Sequence, residues 1–285
     1  MISTHTRVCC LIGDPVAHSI SPAMHNTAFK ALNLDYVYLP FRVKAESLTG
    51  AIKGMRALDI AGFNVTIPHK IAVMPLLDQL DPLAEKIGAV NTVLNEKGVL
   101  KGFNTDGTGF LAALKKNGIV PDGKKVVLLG AGGAARAIAF SLAESVAHLA
   151  ILNRREEYDW AVNLATSIVI KCHRKDVAAL ELNEKSLRNE LKDADILVNA
   201  TPLGMTPDIE DTPVSGEYLK AGLTIFDIIY NPIETRLTRE AKAAGLKTIS
   251  GLEMLVMQGA LAFEIWTGKK APIALMEKEA LKALK

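Results

Sequence analysis

Cysteine is scarce in this chain. Among 285 residues only Cys9, Cys10 and Cys172 carry a thiol, and no pair has C-x-x-C or metal-ligand spacing. A disulfide-stapled fold and a thiolate metal site therefore have nothing to build on. The three are expected to be small core residues in a reducing compartment. Excess charge is missing too: 33 Lys+Arg against 31 Asp+Glu leave a net charge of +2, so nothing points to a nucleic-acid or membrane-surface partner. No apolar run reaches the roughly 18 residues needed to span a bilayer. The opening MISTHTRVCCLIG lacks the basic, apolar and small-residue succession of a signal peptide. Internal repeats and low-complexity linkers are also lacking. The expectation is a cytoplasmic protein.

What is present is a hydrophobic fraction of 49%, suited to a well-packed globular protein, in a length that fits about two domains. Short apolar runs alternate with helix-period segments, the pattern of an α/β fold with mainly parallel sheets. Residues 7–13, 36–43 and 62–68 read as strands, with helices predicted over 21–33 and 45–58; the first of these has Ser21 as N-cap and Pro22 at N1. After Pro121 a second series of strands is expected at 126–130, 149–153, 194–200, 224–230 and 246–250, with a helix over 134–146. The segment 251–268 reads as a helix apolar over much of its surface, which must be covered on most sides. Met254 and Met257 on it are expected in the core, and 278–285 is a more polar helix.

The strand VVLLG runs into GAGGAARA, which puts Gly130, Gly132 and Gly133 at a strand-to-helix turn and Ala135 where a third glycine often sits. Glycines there permit the tight turn and let backbone N–H groups approach a pyrophosphate at the helix N-terminus. With strand, helix and next strand all in place, a dinucleotide site is favoured over a structural turn. About 20 residues on, where a carboxylate would accept from a free ribose 2′-OH, stand Asn153, Arg154 and Arg155. Guanidinium groups favour a 2′-phosphate, so NADP is the better reading. Glu156 and Glu157 add negative charge and leave NAD as a weaker alternative.

A nicotinamide cofactor requires a group that handles a proton. Four polar clusters end apolar runs in the first third: HSISP (18–22), NVTIPHK (64–70), GAVNT (88–92) and FNTDGTG (103–109). Ligands of open α/β sheets bind beyond the carboxyl ends of the strands. The clusters are therefore expected to converge. Taken singly, their residues have plain readings: Ser21 as a helix cap, Thr66 as a β-former, Asn91 and Asp106 as turn residues, Lys70 as a solvated charge. His69 is given no chemistry. Gln258, on an otherwise apolar helix, needs partners if buried.

HSISPAMHN, NVTIPHK, GAVNT and NTDGTG, followed by GAGGAARA, NRR, IYNPIET and GLEMLVMQGA, stand in an order and spacing that resembles the shikimate dehydrogenase family over essentially the whole chain. The resemblance implies two α/β domains. An N-terminal open α/β catalytic domain would comprise 1–106 plus 251–285, and a Rossmann-type NADP-binding domain 107–250. It implies Lys70 and Asp106 as the catalytic pair. Ser19 and Ser21 would hold a substrate carboxylate; Thr66, Asn91, Tyr230 and Gln258 would be the other substrate contacts, with Asp106. Gly130, Ala131, Gly132, Gly133, Ala134, Asn153, Arg154, Arg155, Thr201, Ile228 and Gly251 would contact NADP. Where the family often has a further arginine, this chain has Tyr158. The implied reaction is NADPH-dependent, reversible reduction of 3-dehydroshikimate to shikimate in a monomer or homodimer; a quinate/shikimate enzyme and a non-catalytic ligand sensor are the rivals.

Overall fold

The computed structural model describes residues 2–284, so the expectation at Lys285 lies outside the described residues. The chain divides into two compact units, Met1–Gly109 with Val256–Lys285 and Phe110–Leu255. The divisions fall within the helices that begin at Asp106 and Gly251.

The first unit runs β1 (Arg7–Gly13), α1 (Ser21–Ala31), β2 (Tyr36–Arg42), α2 (Leu48–Ala57), β3 (Gly62–Val65), β4 (Gln79–Leu80), α3 (Pro82–Ile87), β5 (Thr92–Glu96), β6 (Val99–Phe103) and the start of α4 (Asp106–Lys116). Its sheet has the order β2-β1-β3-β5-β6-β4. Pro40 lies in β2, which is at the sheet edge, where a missing N–H is tolerated. β3–β5 and β5–β6 are antiparallel, so this sheet is mixed. The β5–β6 hairpin was not legible in the apolar pattern. It turns at Lys97 and Gly98, both with positive φ (55° and 90°), as a two-residue hairpin that follows the strand twist requires. The α1 start also departs from expectation. Ile20 is the N-cap, Ser21 is the first helical residue, and Ser19 Oγ accepts from the Ser21 N–H at 3.3 Å.

The second unit continues with β7 (Lys125–Leu129), α5 (Gly133–Leu142), β8 (His148–Asn153), α6 (Tyr158–Cys172), β9 (Val177–Glu181), α7 (Glu184–Glu190), β10 (Ile196–Asn199), β11 (Thr224–Asp227), α8 (Arg236–Ala243), β12 (Lys247–Ser250) and the start of α9 (Gly251–Thr267). The strand order β12-β11-β10-β7-β8-β9 is entirely parallel and reverses between β7 and β10, the arrangement that places a ligand crevice at that switch point. Val126 to Leu129 are fully buried, as expected for a central strand covered on both faces. β9 was not anticipated, because VAALE is only partly buried at the sheet edge and carries no strong apolar signal.

The rest of α9 and α10 (Ile273–Ala283) return to the first unit. There Phe263 stacks on Phe29 at 5.1 Å, α10 packs on α1, and the Trp266 indole N–H donates to the Val93 carbonyl at 3.0 Å. A Cβ on Gly62 would lie 2.3 Å from the Trp266 ring, so only glycine lets β3 pass beneath it. Cys9 and Cys10 are fully buried, as expected. Cys172 is not: it ends α6 and is half-buried. Met254 is buried and Met257 half-buried.

Candidate active site

In the first unit, strand direction decides which residues meet. β1 and β3 are parallel and finish at the same sheet edge. Because β5 runs against β3 and β6 against β5, the start of β5 and the end of β6 return to that edge, with Asn64 opposite Thr92 and Thr92 opposite Phe103. NVTIPHK, GAVNT and FNTDGTG are thus assembled by the hairpin that the apolar pattern did not reveal. A Cβ on Gly13 would lie 2.3 Å from the Thr66 methyl group, which keeps the loops after β1 and β3 in contact.

Lys70 sits in the turn after β3, its carbonyl held by the Val90 N–H at 2.8 Å. Its Nζ donates to Asp106 Oδ2 at 2.5 Å, with the two side chains 17% and 7% exposed. Burial at this level strengthens the pairing relative to a surface ion pair. Asp106 Oδ1 accepts from Asn91 Nδ2 at 2.8 Å, so the carboxylate is gripped from both sides. Asn104 Oδ1 accepts from the Asp106 N–H at 3.0 Å at the opening of α4.

Asn91 is 2% exposed. Its Oδ1 accepts from the Thr105 N–H at 2.8 Å and from Thr92 Oγ1 at 3.0 Å. Its Nδ2 also reaches Thr105 Oγ1 at 2.9 Å and Gln258 Oε1 at 3.3 Å. Gln258 is therefore partnered, as a buried amide must be. It lies where α9 crosses α4 so tightly that a Cβ on Gly109 would stand 2.8 Å from the Gln258 backbone nitrogen.

Behind this cluster runs a directional chain of donors. The Tyr38 hydroxyl, kept protonated by complete burial, donates to Asn64 Oδ1 at 2.7 Å. Asn64 Nδ2 donates to Thr92 Oγ1 at 3.1 Å and to the Asn91 carbonyl at 3.1 Å. Thr92 Oγ1 then donates to Asn91 Oδ1. With Oδ1 occupied by the Thr92 hydroxyl and the Thr105 N–H, Asn91 turns its NH₂ group to Asp106. Tyr38, Asn64, Thr92 and Thr105 were not singled out from the sequence, although three of them stand inside the quoted motifs. Thr66, half-buried, lies just past β3 with its N–H on the Ile12 carbonyl at 2.9 Å. His69 is buried, with Nε2 2.6 Å from the Val43 carbonyl, and so has a packing role.

In the second unit, Gly130 has φ +100° and a Cβ there would be 2.8 Å from the Ala200 carbonyl oxygen. Glycine is required at this point. Gly132 is the N-cap of α5, and a Cβ on it would enter open space at the helix start, the kind of cradle into which a phosphate fits. Ala131 and Ala134 flank these glycines. Thr201 Oγ1 donates to Asn199 Oδ1 at 2.7 Å. A Cβ on Gly251 would lie 2.0 Å from the Ile228 carbonyl oxygen, so the loops ending β10, β11 and β12 crowd one edge of the sheet. Burial pushes the Tyr230 hydroxyl up. Asp227, 1% exposed, accepts from Thr235 Oγ1 at 2.7 Å, Asn199 Nδ2 at 3.1 Å and the Ile229 N–H at 3.1 Å, and burial still raises it to about 6.

Residues 11–93 match the shikimate dehydrogenase substrate-binding domain family, and residues 251–281 the shikimate 5′-dehydrogenase C-terminal domain family. A shikimate dehydrogenase (NADP(+)) of Methanosarcina acetivorans is 51% identical over 98% of this chain and 99% of its own length. The chain belongs to the shikimate dehydrogenase family. A crystal structure of a shikimate dehydrogenase in complex with NADP+ is similar to it with a TM-score of 0.94 at 46% identity, covering 100% of this chain and 98% of the other. The shikimate 5-dehydrogenase of Listeria monocytogenes, solved with shikimate and NAD, has a TM-score of 0.89 at 41% identity over 97% of both chains. Tyr158, where the resemblance led to the expectation of a further arginine, donates its hydroxyl to the Ala179 carbonyl at 3.2 Å. That residue ties α6 to β9.

Proposed function

We propose that this chain is an NADP-dependent shikimate dehydrogenase that reversibly reduces 3-dehydroshikimate to shikimate. The observation that carries the reading is the Lys70–Asp106 pair, 2.5 Å apart and braced by Asn91, in a chain of this family. The first unit takes the substrate-binding role and the second the dinucleotide role. A monomeric or homodimeric state and a cytoplasmic location complete the proposal; among the described residues no helix is long and apolar enough to cross a membrane.

The residues present suit NADP. Gly130, Ala131, Gly132, Gly133 and Ala134 would cradle the pyrophosphate against the start of α5. Asn153, Arg154 and Arg155 would face the adenosine end, with Thr201, Ile228 and Gly251 at the loops that crowd the other strand ends. When bound, NADPH supplies the hydride. The protein's part is to hold the ketone and move a proton. Ser19 and Ser21 would take the substrate carboxylate, and Thr66, Asn91, Tyr230 and Gln258 the ring hydroxyls. As the ketone carbon is reduced, negative charge grows on its oxygen. The Lys70 ammonium, aimed by Asp106, stabilises that charge and gives up the proton. In the reverse direction the same nitrogen takes the proton from the alcohol.

Consumption of NADPH and NADH, each with 3-dehydroshikimate and with 3-dehydroquinate, tests the proposal. Turnover of 3-dehydroshikimate with NADPH above the other three combinations is expected. Turnover mainly of 3-dehydroquinate would move the chain to the quinate class, and binding without turnover would make it a sensor. Lys70→Ala should lose about 3 kcal/mol or more of transition-state stabilisation, on the scale of other oxyanion donors, while still binding NADP+.

A further inference from the structure

The two arginines after β8 are not equivalent. Arg154 is ion-paired through Nη2 with Glu157 Oε1, three residues on. The Arg154 side chain is 64% exposed and that of Glu157 25%, so the carboxylate is held in place while the guanidinium is accessible. Asn153 Nδ2 fixes the Glu157 backbone by donating to its carbonyl at 2.8 Å, and the Glu157 carboxylate in turn raises the Arg154 guanidinium further above its ordinary value. Arg155 is exposed and makes no ion pair among the described residues. Tyr158, which opens α6, is directed to the Ala179 carbonyl and adds no cation. An anion approaching this strand end therefore meets one free cation and one already neutralised by a neighbour.

We infer that Glu157 is a specificity-determining residue that competes with the ribose 2′-phosphate for Arg154 and so narrows the preference for NADP over NAD. The inference rests on the NADP reading above. A 2′-phosphate must draw Arg154 off Glu157 and then lie beside the released carboxylate, with Glu156 adjacent in sequence. A free 2′-hydroxyl meets neither cost. Arg155 has no internal competitor and supplies the primary contact. Glutamine at 157 keeps the shape and the backbone bond from Asn153 but releases Arg154.

Calorimetric titration of the full chain with adenosine 2′,5′-bisphosphate and with 5′-AMP tests this without any turnover. Glu157→Gln is expected to bind the bisphosphate about three- to ten-fold more tightly, the range of an exposed ion pair, with 5′-AMP changed less than about two-fold. The gain should shrink in high salt, where exposed charges are screened. Arg155→Ala should weaken the bisphosphate and leave 5′-AMP unaffected. Unfolding curves of both variants that overlay the wild type show that the fold is kept, and Glu157→Ala gives the same comparison should Glu157→Gln not fold. Bisphosphate binding that is unchanged or weakened in the Glu157 variants overturns the proposal alone and makes Glu157 an orienting partner of Arg154. Wild-type protein that binds the bisphosphate no better than 5′-AMP overturns the NADP reading, and the proposal with it.

Discussion

Among the described residues, Asp227 is the one carboxylate that the fold buries with neutral donors alone. Thr235, Asn199 and the Ile229 N–H satisfy its oxygens, and no cation pairs with it among the described residues. Desolvation outweighs those bonds and lifts it from 3.8 to about 6. Between these values the folded protein keeps a proton that the unfolded chain has released, so stability falls as pH rises through that window. Above about pH 6 the loss is complete. A separation of about 2 pH units at about 1.4 kcal/mol each makes it about 3 kcal/mol. Asp227→Asn has the same shape and no charge to desolvate. Its Oδ1 can accept from Ile229 and Asn199, and its NH₂ can donate to Thr235 Oγ1, whose proton can turn to Thr238 Oγ1 at 3.2 Å. Allowing about 1 kcal/mol for weaker bonds, the variant should be about 1–3 kcal/mol more stable than wild type at pH 8 and equal to it or below near pH 4. Urea unfolding at pH 4, 5, 6 and 8, read as midpoint shifts at constant slope, measures this. A variant less stable than wild type at pH 8, or a difference that does not change with pH, would refute the reasoning.

Thr92→Val removes the hydroxyl that links Asn64 to Asn91, but Asn64 Nδ2 keeps the Asn91 carbonyl and Asn91 Oδ1 keeps the Thr105 N–H. A loss of about 1–3 kcal/mol in urea unfolding is expected, with turnover lowered less than about ten-fold; a loss beyond 100-fold would place the hydroxyl on the substrate instead. His25 is fully buried against Tyr38 at 4.5 Å, both ring nitrogens lack a partner among the described residues, and burial lowers it from 6.5 to about 3. Its neutral form contributes stability above about pH 6.5 that is lost as pH falls towards 3. His25→Leu should therefore flatten acid unfolding followed by circular dichroism between pH 6 and 3, and parallel curves for the two proteins would show that His25 is not the group responsible.

Where one residue type has few physical uses, the sequence was readable. GAGGAARA after an all-apolar run could only be a tight turn into a helix, and Gly130 does adopt the positive φ that such a turn demands. Gln258 on an apolar helix was expected to meet a ligand, since a buried amide needs partners; its Oε1 accepts from Asn91 and Thr105. Where local signals were weak it was not. Lys97-Gly98 is a less distinctive hairpin signal than Asn-Gly, and a strand such as VAALE at a sheet edge has no clear alternation. The cap of α1 lies one residue before the expected Ser21, at Ile20, which makes no side-chain capping bond and so leaves no signal in the sequence.

Composition and motif order by themselves determined the class: apolar runs alternating with helices favour mainly parallel sheets, glycines at a strand end permit a close backbone approach, and paired arginines favour an anion. Tertiary structure decided which polar groups act together. Lys70, Asn91 and Asp106 are spread over 37 residues of sequence and Gln258 is far beyond them. Their separation closes only because β5 and β6 double back along β3. The Arg154–Glu157 pair was also invisible in the letters, since two arginines followed by two glutamates leave the pairing open until the backbone turn into α6 selects one.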